Sequence, residues 1–410
     1  MKVWIKLLIG SVLGCILGFL VPQDSTVAAG IIETAHGVAL NIGRYVSVPL
    51  LFFGLTIGIY ELRSTQQFWR LTVKTLLVLT AISVLVISLG IAVTFIFPPE
   101  RVSIIMEEQS APPGIDPARF FLNLFPPNMF SVFTGDGVFI FPLLICAFFI
   151  AIGLTYDIHY TKLIITFIDS LSRIFFHISD FFSEILGIVI IAVSAYWAIQ
   201  YRDIIEHGTF KAVILLLLIF SLILGLLILP VLLYLFRKRP NPWSAVYGMF
   251  AAAIASFFSG DINFSLPVLL HVLKANLGIK RRCSSVTITL FSTFGRCGST
   301  MVAVIAFIVI VKSYSIFGIE AHEVFRILAY ALGFTFLLGQ HGGNAAFVCL
   351  ASLCASYGNG FENSFLILKP IAFFLVALGT FLDVMAAAVG SLIVASISGL
   401  REERTVRHFV

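Results

Sequence analysis

Four polar interruptions carry the residues that could do chemistry. Arg296 stands in Gly295-Arg296-Cys297-Gly298-Ser299, in the middle of an apolar run over 286–311. Upstream, Ser259-Gly260-Asp261-Ile262-Asn263-Phe264-Ser265-Leu266-Pro267 breaks another apolar run and brings an acid, an amide and hydroxyls. Downstream, Gly339-Gln340-His341-Gly342-Gly343-Asn344 breaks a third, and Asp383 is the lone acid of a fourth, 371–397. A guanidinium at the depth of an apolar span costs about 2.5 to 3.5 kcal/mol to insert, so it calls for an anionic or carbonyl partner. Three arrangements answer that need. Arg296 pairs with Asp383 or Asp261 in place of a bound cation; it grips a solute carboxylate with its planar fork; or it faces water in a cavity. His341 either carries a coupled proton, since histidine titrates at about pH 6.5, or is a polar turn residue bonded to nearby carbonyls. The sequence shows no nucleophile beside a base, no metal-ligand cluster, no phosphate-binding glycine loop and no nucleic-acid motif, so neither an enzyme nor a nucleic-acid partner is expected.

The elements that position these residues are apolar. Of 410 residues, 59% are hydrophobic and 11% charged, and mean hydropathy is +1.05, which excludes an ordinary soluble domain. The runs are long and lack two-residue alternation, so the class is an all-α polytopic membrane protein with room for about eight to ten helical segments. The first span, Met1 to Leu20, stays apolar after Leu13-Gly14-Cys15, so it is an uncleaved span and not a lipoprotein leader. The second runs to about Tyr60 and the third to Pro98-Pro99. The fourth, Phe120 to Leu154, is broken at Pro126-Pro127-Asn128 and at Gly135-Asp136-Gly137, the latter a turn or a ligand contact. The fifth and sixth cover roughly Phe182 to Ile199 and Ala212 to Leu235, the seventh 286–311 and the eighth 371–397. All six cysteines lie in or beside apolar runs without a CxxC pair, as buried small hydrophobes do.

Charge sets the orientation. Arg63, Arg70 and Lys74, then Arg237-Lys238-Arg239, Lys274, Lys280-Arg281-Arg282, and the tail Arg401, Arg404 and Arg407 mark the inner side, which makes both termini cytoplasmic. Asp24, Glu33 and the acidic loop up to Arg119 belong outside. Val246 to Val272, flanked by basic clusters, then begins and ends inside and forms a re-entrant helical hairpin. The stretch 327–353 forms a second one entering from the opposite face. Opposed hairpins, each followed by a span with a polar feature at mid-depth, are the pattern of an inverted repeat around a transport site.

Eight spans and two hairpins, Val48-Pro49-Leu50, Pro127-Asn128-Met129-Phe130, and a polar tip followed by Leu266-Pro267, Leu273-Lys274 and Gly278-Ile279 resemble the dicarboxylate/amino acid:cation symporters, the glutamate transporter family, over nearly the whole chain. The resemblance implies a glutamate-transporter-like inverted-repeat fold and an elevator-type secondary transporter of a small carboxylated solute, an amino acid or a dicarboxylate. It implies a homotrimer in the cell inner membrane, with lipid and solute as its other partners. Residues 1–240 would be mainly scaffold and trimerisation spans, with spans three and six moving alongside the transport part. Residues 241–400 would form the transport core and 401–410 a cytoplasmic tail. By the same likeness the solute would meet Asn263, Ser265, Arg296, Gly343, Asn344 and Asp383. In relatives the acid at the position of Asp383 accepts an amino group; here it does so or only neutralises Arg296.

The chain departs from the family pattern where relatives hold sodium. Their acids in the seventh and eighth spans fall on Cys297 and Val394, their methionine on Arg296, and their arginine, threonine and asparagine on Ala386, Ala387 and Gly390. Sodium is a hard cation that wants oxygen ligands, so the expectation is transport without sodium coupling and without a cofactor. The alternative is a solute sensor or degenerate paralogue of the same fold that no longer transports.

Overall fold

The computed structural model describes residues 2–22, 25–97, 114–135, 137–156, 158–208, 210–236, 242–314, 320–358, 360–402 and 409. The acidic loop over 98–113, Asp136, Arg237-Lys238-Arg239, Arg404 and Arg407 lie outside the described residues. Sixteen α-helices follow in order: α1 (Val3–Leu20), α2 (Thr26–Arg44), α3 (Ser47–Ser64), α4 (Phe68–Ile96), α5 (Pro117–Leu124), α6 (Phe141–Tyr156), α7 (Ile158–His207), α8 (Lys211–Ile223), α9 (Leu229–Phe236), α10 (Pro242–Ser259), α11 (Ile262–Ala275), α12 (Arg281–Phe294), α13 (Cys297–Tyr314), α14 (Ala321–Leu337), α15 (Ala345–Tyr357) and α16 (Ala372–Ile397). Among the described residues the β contact is a lone bridge between Ile279 and Arg401. The chain is an all-α polytopic membrane protein.

Eight stretches are long and apolar enough to cross a membrane: Val3–Leu20, Val27–Ser64, Phe68–Ile96, His159–Arg202, Lys211–Phe236, Arg281–Tyr314, Ala321–Tyr357 and Ser364–Ile397. They are not the same eight that the sequence predicts. Ala321–Tyr357, expected as a hairpin, qualifies by length, whereas Phe141–Tyr156, the longest helix of the fourth span, is a shorter apolar helix.

Local chemistry explains the breaks. The second span is two helices with an elbow at 45–46, and Pro49, which has no N–H to give, lies in the first turn of α3 where none is needed. α5 starts at Asp116, whose Oδ1 accepts from the amides of Ala118 and Arg119, with Pro117 at the first helical position. Between α8 and α9 the helix widens into a π-turn at Leu224–Ile228, just before Pro230, which has no N–H to give to the helical ladder.

The fifth span is the main departure from the sequence reading. In place of Phe182 to Ile199 there is one helix of 50 residues, Ile158–His207. At about 1.5 Å per residue it extends far beyond a hydrocarbon core of about 30 Å. Its first half is polar enough to read as a loop, but Asp169 and Arg173 pair one helical turn apart at 3.0 Å, and Ile168 packs with Ile57 and Leu154.

Burial separates two kinds of helix. In the most apolar window of Arg281–Tyr314, 94% of residues are buried, and 78% in Ser364–Ile397, against 33% in α1. α12, α13 and α16 are therefore the centre of the molecule, with α4, α10, α11 and α15 packed around them. α1 lies along α7 at close range. A Cβ on Gly14 would stand 2.0 Å from Ser194 Oγ and 2.3 Å from the Ile191 carbonyl, the small-residue packing by which membrane helices approach. Gly14→Leu should therefore lower the thermal midpoint of the purified protein by a few degrees, as overpacking by about 1–3 kcal/mol does. Gly153→Leu, where a Cβ meets nothing within 4 Å, should leave it unchanged.

Candidate functional site

Three of the polar interruptions meet through close backbone approaches at glycines. α10 and α11 fold back on each other at Gly260, whose φ of +63° is left-handed backbone suited to glycine. Gly343 comes so near this turn that its Cβ would lie 3.2 Å from the Gly260 carbonyl and 3.7 Å from Asp261 Cβ. A Cβ on Gly339 would fall 2.3 Å from the carbonyl of Thr293, near the end of α12. The tips over 259–267 and 338–344 thus meet each other, and the second meets the break between α12 and α13.

At the first tip Asp261 is 2% exposed at its side chain. Its Oδ1 accepts from the Asn263 amide at 3.0 Å and so caps α11, while Oδ2 takes Arg44 Nε at 2.5 Å. Arg44 ends α2. Asn263 donates Nδ2 to the carbonyls of Val138 at 3.1 Å and Gly137 at 3.3 Å, and its own carbonyl accepts from Ser47 Oγ at 3.1 Å. Asn263 Oδ1 is buried without a partner. Ser265 Oγ turns back to the Ile262 carbonyl at 2.8 Å within its own helix.

In the α12–α13 break, Arg296 is 1% exposed and is the most voluminous fully buried side chain among the described residues. Asp383, from α16, accepts three hydrogen bonds: from the amides of Gly298 at 2.7 Å and Ser299 at 3.1 Å, and from Ser299 Oγ at 2.6 Å. It caps α13 from a neighbouring helix, a favourable place for a carboxylate because the amides and the helix dipole both point at it. Arg296 Nη1 stands 3.8 Å from Asp383 Oδ2, close enough for attraction and too far for a hydrogen bond. Arg296 Nε and Nη1 have no hydrogen-bond partner. A buried guanidinium with bare donors is held at a desolvation cost that an incoming acceptor would relieve.

Of the residues predicted from sequence, Arg296, Asp383, Asp261 and Gly343 come together. Asn263 and Ser265 lie at the same tip with their donors committed to protein carbonyls. Asn344 is exposed. His341 sits where the second tip leaves helical geometry, Nε2 3.2 Å from Gln340 Nε2, and with Gln340 it faces a cavity of about 240 Å³ shared with Asp116, Arg119, Asn123 and Val138. The pairing of Asp261 is with Arg44, which sequence reasoning missed; a lone cation between the acidic 24–33 loop and Val48-Pro49 was its signal. Also missed were His271 Nδ1 on Asp180 Oδ1 at 2.5 Å and the pairing of Arg281 with Asp169.

Where the resemblance implied polar groups in the eighth span, the side chains are apolar and buried. Ala386, Ala387 and Val394 are buried, and a Cβ on Gly390 would stand 2.1 Å from Phe291 Cζ. Cys297 beside them is a buried free thiol.

Asp383→Asn would leave Arg296 without its nearest carboxylate. Breaking a buried pair by removing one partner costs about 3–5 kcal/mol, so the thermal midpoint should fall markedly and partly recover in Arg296→Met/Asp383→Asn. A midpoint unchanged by Asp383→Asn would show that the pair contributes nothing.

A search of the curated proteins finds no match. A model of the sodium:dicarboxylate symporter family matches residues 3–397, nearly the whole chain. That family consists of secondary transporters and not of enzymes, and the chain belongs to it: it is a multi-pass membrane transport protein of the sodium:dicarboxylate symporter family.

Proposed function

We propose that the protein moves a small carboxylate through a site built on Arg296, without sodium. The observation that carries this is the guanidinium itself, 1% exposed, with Nε and Nη1 bare and its neighbouring acid 3.8 Å away. A carboxylate supplies acceptors in the planar geometry that arginine matches.

Asp383 bears on the rest of the solute. Its three hydrogen bonds from Gly298 and Ser299 occupy most of the acceptor capacity with which it could receive an ammonium. A dicarboxylate or other carboxylate without an amino group therefore fits better than an amino acid. Sodium fits poorly. At the positions where relatives offer oxygen, this chain offers the Cys297 thiol, Val394, and Gly390 covered by the Phe291 ring, none of which suits a hard cation.

In this proposal α10–α11 and α14–α15 are the two re-entrant hairpins of an inverted repeat in the cell inner membrane, with both termini cytoplasmic. Residues 241–400 form the transport core, which moves elevator-fashion against spans from residues 1–240. The apolar groove between α2 and α7, lined by Val27, Ile31, Val38, Ile42 and Val189, is the face on which copies would join as a homotrimer.

Uptake of labelled succinate and aspartate into proteoliposomes tests this. Succinate uptake, or exchange for internal succinate, should proceed equally with sodium or potassium outside and should exceed that of aspartate. Arg296→Met should weaken succinate binding about 30-fold or more, as expected when a buried charged partner is removed. Strict sodium dependence would overturn the sodium-free reading, preference for aspartate would overturn the argument from Asp383, and binding without flux would make the protein a sensor.

A further inference from the structure

Arg44 stands outside the segment 241–400, yet it makes the direct ion pair of the first tip. Its Nε lies 2.5 Å from Asp261 Oδ2, and the carboxylate is 2% exposed. Asp261 and Asp383 are the two carboxylates whose charge acts on Arg296. Asp383 is fixed to α13 by three hydrogen bonds, whereas Asp261 is fixed by one amide, that of Asn263, and by Arg44. A nearly buried carboxylate that loses its cation is strongly destabilised, so a nearby positive group with free donors attracts it. Arg296, on which the charge of Asp261 acts, has its Nε and Nη1 bare to receive it.

The other ties of this tip to the first 156 residues are neutral. Ser47 Oγ donates to the Asn263 carbonyl at 3.1 Å, and Asn263 Nδ2 donates to the carbonyls of Val138 and Gly137. Such bonds are worth about 0.5–1.5 kcal/mol each and can be exchanged for water when the tip shifts. Parting Asp261 from Arg44 is a different matter, because it changes which charges remain paired around Arg296.

We propose that Arg44 is a positioning residue that sets the anion affinity of Arg296: while Arg44 holds Asp261, Arg296 is free for a solute carboxylate, and when the tip leaves Arg44, Asp261 turns to Arg296 and competes with the solute. This rests on Arg296 as the anion site. Solute affinity and the placement of the tip against α2 are thereby linked, and the linkage is reciprocal: a bound carboxylate favours the arrangement in which Arg44 keeps Asp261. Four charges, Arg44, Asp261, Arg296 and Asp383, thus do their work without a bound cation.

Succinate binding to the purified full-length chain in nanodiscs, followed by calorimetry, tests it with four variants. Arg44→Gln should weaken binding about tenfold or more, a shift of about 1.4 kcal/mol. Asp261→Asn should bind at least as well as the unmodified chain, and Arg44→Gln/Asp261→Asn should return close to it. A purely structural role for Arg44 predicts no such rescue, so a double variant as weak as Arg44→Gln, or an Arg44→Gln that binds normally, overturns the proposal. If Arg44→Gln does not fold, Asp261→Asn alone decides: a tenfold loss there means that Asp261 assists binding and does not compete. Arg296→Met should weaken binding about 30-fold or more whatever stands at 44. Were it to bind normally, the anion site itself would be wrong, an outcome separate from any result at Arg44.

Discussion

A guanidinium with 1% of its surface exposed stays inside apolar protein only if the fold brings compensating charge and dipoles to it. The position of Arg296 therefore constrains much of what surrounds it. Asp383 is the nearest acid, but it is not simply a counter-ion. By accepting from Gly298 and Ser299 it also closes the exposed amides at the start of α13, which would otherwise point their positive end at the same region. One carboxylate serves both a helix terminus and a cation. That is why it can sit 3.8 Å from Arg296 without bonding it, and why the donors of Arg296 remain available.

The arrangement depends on backbones that touch. Gly298 delivers its amide to Asp383 because α13 and α16 are in contact there: a Cβ on Gly298 would fall 2.3 Å from Leu382 Cβ and 2.6 Å from the Gly379 carbonyl. The approach of Gly343 to Gly260 and of Gly339 to Thr293 has the same character. Small residues at these crossings let polar main chain at the two tips face protein in place of hydrocarbon, which is the condition for irregular backbone among apolar helices.

Much of this was legible in the sequence because a polar cluster inside a long apolar run breaks the pattern visibly. The interruptions at 259–267, 295–299 and 339–344 all fall where helices end, and Arg296 and Asp383 stood out as charges without nearby counterparts. What was not legible lies in pairings between distant segments. Asp261 and Arg44 are 217 residues apart, and nothing local in either segment names the other. The contacts of Asn263 to Gly137 and Val138 use carbonyl oxygens, which every residue carries, so they leave no trace in side-chain identity. The length of α7 was hidden for a different reason. Its first half is too polar to count as a span, and it is held by pairs such as Asp169 with Arg173 and Arg281 and Asp180 with His271, so side-chain partners and not hydropathy decide that it is helical there.

The proposed loss of sodium coupling gains weight from how the substituted positions fit one another. A single missing acid could be replaced by a carbonyl or by water. Here Gly390 and Phe291 are complementary: the ring fills the place that any side chain at 390 would need, with 2.1 Å between Phe291 Cζ and the position of a Cβ. Ala386, Ala387 and Val394 add to the same apolar surface, and all are buried. Restoring an oxygen ligand at 390 would require the ring to leave, and restoring one at 297 would set a new acid beside Asp383, competing for Arg296. In the proposed reading, an acid at 297 and a free Arg296 would therefore work against each other, and the packing of Gly390 under Phe291 leaves no room for an oxygen ligand there.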